Sequence, residues 1–470
     1  MTRRPVIDPT RALAALACAL AALPATAQTL ALDWVDSAAA GTDLNASGHV
    51  LGTKAVWPCG DVHACAPVYQ PSVWRGGLRH VLPGLAGRRV APAALGADGS
   101  VVGTLTDDTS QNAASRWVFD GSAFQRQDLG LLPGTSQSFA TGIDAQGRVV
   151  GYAMTPFVSQ KPFVWSAAAG LTDLAAAGFP ADRPMGVSPL GRVIADNHSY
   201  LLDDLASVQA LPAPPAGFRA AQGQSLRVND RGDLAGFLAD TSGAANRYLH
   251  RYQVALGRWE RLSDAANSPG QSYWGMGTLD AKGTLSATVL GAGVTAKAGD
   301  GAAQALQTRL SPAYPDTLVL RAQAHAGSTV LAHAGLGRAT RLVKLVPAKP
   351  CSSACLQVSS LSLVGTFVND PNAPGSCTDR ARNKVRATLT VVDEAGSPQA
   401  NALVKARYLD EYALSQPVQG RTDANGRLVL RHDGPACVGA VSLLVESVKL
   451  TGRTLDRTTG TLAGWVIPLP

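Results

Sequence analysis

A turn glycine that returns at near-constant spacing limits what this chain can fold into more than any other feature. The clearest copy reads Phe139-Ala140-Thr141-Gly142-Ile143-Asp144-Ala145-Gln146-Gly147-Arg148-Val149-Val150-Gly151-Tyr152. Lys161-Pro162-Phe163-Val164-Trp165 and Gly170-Leu171-Thr172-Asp173-Leu174 follow it. The frame recurs around Gly48, Gly99, Gly191, Gly232, Gly283 and Gly327, so that successive turn glycines, with Gly147, stand 51, 48, 44, 41, 51 and 44 residues apart. A period near 45 residues with four short β-type segments per copy is the spacing of propeller blades.

Turn chemistry accounts for the glycine. In Asp43-Leu44-Asn45-Ala46-Ser47-Gly48 and Val228-Asn229-Asp230-Arg231-Gly232 an acid or amide precedes the glycine by a few residues. A short antiparallel connection of this form needs a type I turn and then one residue at positive φ, which glycine adopts without a Cβ penalty. The acid or amide caps the turn's own backbone. As calcium sites these turns offer too few oxygens, and several copies lack the acid, so no metal site is assigned. The recurring aromatics (Trp74, Trp117, Trp165) read first as packing between copies.

One copy cannot bury both faces of its own small sheet, so neighbours must stack and the ring must close. The last copy supplies three strands: Leu318-Val319-Leu320, Thr329-Val330-Leu331-Ala332 and Thr340-Arg341-Leu342-Val343-Lys344-Leu345. The stretch Thr29-Leu30-Ala31-Leu32-Asp33-Trp34-Val35 is therefore expected to complete it. The fold class is all-β, with about seven four-stranded blades (six is the alternative count). Composition agrees: four glutamates in 470 residues (Glu260, Glu394, Glu411, Glu446) and 16% charged residues do not suit long exposed helices.

Residues Asp128-Leu129-Gly130-Leu131-Leu132-Pro133-Gly134, the Gly142–Tyr152 segment and Phe163-Val164-Trp165 resemble HAF-type extracellular repeats over roughly residues 40–345. The resemblance implies an exported, repeat-built architecture and no catalytic residues.

The period stops at Pro347-Ala348-Lys349-Pro350-Cys351-Ser352-Ser353-Ala354-Cys355. Beyond it, Lys384 to Asp393 alternates as a half-buried strand does. The marks Thr390-Val391-Val392-Asp393, Gly396, Pro398 and Thr422-Asp423-Ala424-Asn425-Gly426 resemble a bacterial immunoglobulin-like module. Such modules are spacers or adhesive units, so no chemistry is carried over. The expected division is a signal peptide at 1–27, a repeat propeller at 28–346, a linker at 347–356 and an immunoglobulin-like sandwich at 357–470.

The address is read from the N-terminus. Arg3, Arg4 and Arg11 precede an apolar run from Ala12 to Leu23, and Ala25-Thr26-Ala27 places signal cleavage between Ala27 and Gln28. Cys18 leaves a lipid anchor as the minor alternative. The run is too short to remain as a spanning helix, and no later segment reaches spanning length. The chain is thus expected to be secreted or periplasmic, without a transmembrane segment. Discounting Cys18, six cysteines remain, an even number suited to an oxidising compartment. Proximity favours Cys59–Cys65 and Cys351–Cys355, leaving Cys377–Cys437 to staple the C-terminal module.

The formal net charge of +7 is mild and spread out, without a Lys/Arg run, which disfavours nucleic acid. The chain carries no Gly-x-Ser-x-Gly elbow, His-Glu-x-x-His, phosphate loop or dinucleotide fingerprint, and no cofactor is implied. The histidines fall singly. Asp98, Asp144, Asp230 and Asp280 sit in repeat turns, where a structural role suffices, and Glu260 is the one glutamate of the repeats. The reading is a non-enzymatic exported binding or surface protein for an unidentified glycan or protein, with no catalytic residue assigned. The rival is a propeller hydrolase or lyase acting on a polysaccharide. An axial mouth of clustered Asp, Arg and Tyr would favour the enzyme, and one of Ala, Gly and Val would favour binding.

Overall fold

In a computed structural model of the chain, the described residues are 28–468 apart from 60–64, 108–110, 156–159, 221–225, 243–245, 265–275, 369–381, 411–414 and 436–438. The proposed signal peptide, Cys18, His63, Cys377 and Cys437 lie outside them. The described residues up to Pro347 form seven antiparallel sheets, six of four strands and one of five. The first holds Ala39–Leu44, Val50–Val56, Val68–Arg75 and Leu78–Val81, each hydrogen-bonded to the next. In the fifth, Phe218–Ala220 and Arg227–Val228 both pair with Leu234–Asp240.

The strands of a copy follow from its sequence. Asn45, Asp144, Asn229 and Asp280 each accept, through the side chain, the N–H of the residue four positions on, at 3.0, 2.8, 2.9 and 2.7 Å. The turn glycines take φ between +58° and +90°. Gly327 differs, since it sits with Ser328 in a two-residue connection between Thr317–Ala326 and Thr329–Leu336. The glycine of each Val-Val-Gly strand has another cause. The first strand bulges between Gly41 and Asp43, Pro92 and Ala94, and Ala140 and Gly142. That bulge brings the carbonyls of Ala40, Ala91 and Phe139 against Gly52, Gly103 and Gly151, where a Cβ has no room.

Apolar side chains fill the spaces between successive sheets. Leu51, Val73, Val101, Leu105 and Trp117 lie between the first and second, and Val102, Ala114, Phe163 and Trp165 between the second and third. Val150, Val193 and Tyr200 follow, and then the small group Ile194, Val228 and Leu234. Trp74, Ala324, Leu331 and Leu342 join the seventh sheet back to the first. Every sheet thus packs on the next, and the last on the first. The repeat domain is a β-propeller.

Its closure is the one expected from sequence. Leu30–Ser37 pairs antiparallel with Ala339–Pro347, from Leu30 opposite Pro347 to Ser37 opposite Arg341, and becomes the outer strand of the seventh sheet. Leu30, Ala31 and Leu32 are buried there.

After residues 348–354, two four-stranded sheets form a sandwich. One is ordered Arg427–Pro435, Arg382–Asp393, Cys355–Val368, Thr454–Leu455; the other Ser415–Arg421, Leu403–Asp410, Val441–Lys449, Ala463–Val466. Tyr408 bridges them: its hydroxyl accepts from the Ala387 N–H at 3.1 Å and donates to the Leu430 carbonyl at 3.1 Å. Burial pushes that phenol up to about 12. The apolar core is continuous from Leu30, Val343 and Leu345 of the ring into Leu356, Val404 and Leu443 of the sandwich.

Two outcomes test this account. Leu30→Ala, which empties a fully buried site in the closing strand, should cost about 2–5 kcal/mol by denaturant titration, and a loss below about 1 kcal/mol would refute its role in closure. Burial, with the charge of Arg321 beside it, holds His333 of the seventh sheet down at about 4, against 6.5 when unfolded. The unfolded chain then binds this proton first, so stability should fall as pH drops from 6.5 to about 4 and level off below, by at most about 3 kcal/mol from this residue. The stability of wild type relative to His333→Gln should therefore fall across that range, by up to that amount, and stay constant below about pH 4.

Candidate functional site

Among the described residues, two concavities are lined by the ring, and a third, about 690 Å³, is lined by the sandwich alone. The first is the axial channel, about 130 Å³, where the innermost strands meet. The bulges place Thr42, Ala93 and Thr141 at its wall, with Gly186, Val187 and Thr278 from later sheets. Its one acid is Asp43, whose Oδ1 and Oδ2 accept the N–H groups of Leu44 at 2.8 Å and Leu95 at 2.9 Å. Burial pushes this carboxyl up, against the opposing pull of those donors and of Arg227. Burial likewise pulls the Arg227 guanidinium down. The channel is narrow, lined by small, hydroxyl and aliphatic side chains, Ile194 and Leu226 among them, around one charge pair that does not touch.

The second concavity, about 560 Å³, lies where the first sheet, the closing strand and the sandwich meet. Five consecutive residues, Leu32 to Asp36, line it, along with Trp74, Arg75, Arg79 and Lys344 of the ring and Arg407 and Glu446 of the sandwich. The register of the closing strand slips between Trp34 and Asp36. The carboxylates here are engaged. Asp36 accepts from Lys54 Nζ at 2.7 Å and from the Trp74 indole N–H at 2.9 Å. Glu446 accepts from Arg407 Nε at 2.7 Å, and Asp33 from Arg457 at 2.7 Å. The Arg407 guanidinium lies 4.7 Å from the Trp34 ring centroid, a cation–π contact between sandwich and closing strand.

The sandwich is held against the ring by the same strand that closes it. Arg457 also donates to the Leu32 carbonyl and, at 3.2 Å, to the Tyr314 hydroxyl. The Leu462 N–H donates to the Ala313 carbonyl at 2.6 Å. Arg341, 2% exposed, donates to Ser442 Oγ at 3.2 Å, and burial pulls its guanidinium down to about 10.

The residues singled out from sequence divide as follows. Cys59–Cys65 and Cys351–Cys355 are disulfides, the first in the connection between the second and third strands of the first sheet, the second where the sandwich begins. Gln28 is the first described residue, and its carbonyl accepts from Arg309 Nε at 3.3 Å. Asp98, Asp144 and Asp280 cap their turns, while Asp230 accepts the Leu190 N–H of the preceding sheet at 2.8 Å. Glu260 accepts from Arg251 and Gln253, both at 2.8 Å.

One grouping is invisible in the sequence. His325 Nδ1 lies 3.0 Å from Ser286 Oγ, and Asp280 Oδ2 is 3.6 Å from Nε2. Ser286 is fully buried, and Thr278 Oγ1 also reaches the same Nδ1 at 3.1 Å. With Ser286 and His325 both buried, the grouping is a hydrogen-bond cluster of the core. Sequence reading also missed the cleft. Trp34 lay in the expected closing strand and Arg75 directly follows the aromatic Trp74, but nothing in their spacing tied either to Arg407.

No family model matches the chain, and no curated protein matches it. Among solved structures, a fungal alcohol oxidase of the AA5 family in complex with copper is similar at 11% identity and a TM-score of 0.39, over 95% of this chain and 100% of that one. The β-propeller domain of the Trilobed protease from Pyrococcus furiosus, described as having an open velcro topology, gives 9% identity and 0.38, over 68% and 94%. Prolyl oligopeptidase B from Galerina marginata in its apo form gives 9% and 0.34, over 77% of this chain and 56% of that one. At these scores the propeller assignment rests on the strand pairing itself.

If Arg457 joins sandwich to ring, Arg457→Met should lower stability by about 1–3 kcal/mol. It should also split one calorimetric transition into two; an unchanged single transition would deny it that role.

Proposed function

We propose that this is an exported, non-enzymatic binding or surface-interaction protein: a HAF-type repeat propeller carrying an immunoglobulin-like module, with the cleft beside Trp34 as its binding site. One observation carries the reading. Each carboxylate lining the cleft is met by a cation, and the channel's single acid is held by two backbone N–H groups. Glycoside hydrolysis generally needs two carboxylates, one of them protonated and free to donate. Neither concavity offers that pair among the described residues. The small-residue channel wall favours binding on the same ground.

The module reading draws support from strand order. One sheet runs fifth, second, first in chain order, and the other fourth, third, sixth, last, the arrangement of an immunoglobulin-like sandwich with one additional edge strand. Export is supported by the two disulfides, which suit a compartment outside the cytoplasm, whether periplasm or cell exterior. No helix among the described residues is long and apolar enough to cross a membrane.

The alternative is a propeller hydrolase or lyase acting on a polysaccharide. Asp43 favours it, a carboxyl raised by burial in the axial channel and close enough to Arg227 to feel its charge. A lone carboxylate does not complete the acid–base set. A panel of glycans and polymers scored for both retention and turnover separates the readings. Retention without released product is expected. Product that survives purification and vanishes in Asp43→Asn would overturn the binding reading.

A further inference from the structure

We infer that the cleft between first sheet and sandwich takes a carboxylated oligosaccharide, a few uronate-type sugar rings long. This rests on the binding reading above and deepens it. The size fits, since about 560 Å³ falls within the range of small-ligand sites.

Charge supplies the second argument. Asp33, Asp36 and Glu446 are neutralised by Arg457, Lys54 and Arg407. No carboxylate among the described residues lies within 4.0 Å of the charged nitrogens of Arg75, Arg79 or Lys344. Arg75 rests on the Phe119 ring at 3.9 Å, Lys344 Nζ reaches the Gly48 carbonyl at 3.5 Å, and Arg79 donates to Gln70 Oε1 at 3.0 Å. Arg79 and Lys344 therefore line the cleft without a carboxylate partner, while the Arg75 guanidinium is turned to Phe119 of the second sheet and adds to the positive field from behind. His49 feels the field: burial first, then Arg75 and Lys344, hold its imidazole below the usual value. A guanidinium fork matches a carboxylate in two parallel hydrogen bonds.

The third argument is Trp34, a half-buried indole on the same wall, oriented by Arg407. Arg407 and the core cover part of the indole, and the apolar surface left on the cleft side suits the C–H face of a sugar ring. A bare polyanion would use the cations and leave Trp34 idle. A neutral glycan would use Trp34 and leave Arg79 and Lys344 unmatched. A uronate uses both.

The test is calorimetric titration of the full mature chain with short oligogalacturonates, their methyl esters and inorganic polyphosphate. The free acids should bind, added salt should weaken them, and esterification should weaken them about ten-fold or more. The pair Arg79→Gln and Lys344→Gln should weaken the free acids about as much with an unchanged melting profile. Trp34→Ala should lose the oligogalacturonate, and if it fails to fold, the charge variants still decide. The inference fails if the esters bind as tightly as the acids, if polyphosphate binds as tightly as oligogalacturonate, or if the charge variants leave affinity unchanged. It also fails if no oligogalacturonate binds. In each of those cases the binding reading survives wherever the wider panel retains another ligand without turnover, and it falls only on released product.

Discussion

The backbone pairing of Leu30–Ser37 with Ala339–Pro347 is the interaction on which the rest of the molecule depends. It joins segments about 300 residues apart, and closing a loop of that length costs about 5 kcal/mol in chain entropy on the (3/2)RT ln n estimate. Seven paired positions and the burial of Leu30, Ala31 and Leu32 oppose that cost. Without the pairing, the seventh sheet keeps three strands and an open edge, and Trp74, Leu331 and Leu342 lose the geometry that seals the last sheet to the first. A propeller whose sheets each need two neighbours has no stable partial ring to fall back on.

The same strand also makes the cleft. Its inner residues serve the ring's core, whereas Asp33 and Trp34 face the sandwich and receive Arg457 and Arg407. Closure and docking are therefore coupled: a sandwich seated on Asp33, Leu32 and Tyr314 braces the outer edge of the closing sheet. The apolar core runs on into the sandwich through Leu356 and Val404, and Arg341 is buried at the junction. Burying a guanidinium is costly. Arg341 of the seventh sheet reaches Ser442 of the sandwich, so its burial lies at that junction.

The repeat's small features serve one geometry. The bulge turns Thr42, Ala93 and Thr141 toward the axis, and the partner strand accommodates it with Gly52, Gly103 and Gly151. A cation of one sheet then lies over the turn glycine of the next, as Arg116 lies beside Gly147 and Arg148 beside Gly191. Glycine there answers both the positive φ and the approach of the neighbour's guanidinium. Among the described residues, the junction holding Ile194, Val228 and Leu234 has the fewest buried side chains.

The period, the turn glycines, the closing strand, two disulfides and the end of the repeat at Pro347 can be read from residue order. Each of these is local, or depends on a count: seven near-equal copies with one strand missing at the end leave one place for Leu30–Ser37 to go. The site was not legible in that way. Trp34, Arg75, Lys344 and Arg407 are brought together by ring closure and by the seating of the sandwich, two events joining residues hundreds of positions apart. The Ser286–His325–Asp280 cluster makes the same point in reverse, since only its burial tells it from a catalytic set. Turn and strand chemistry is written in neighbouring residues, whereas which charges share one cleft, and which of them meet no carboxylate there, depends on how distant segments are brought together.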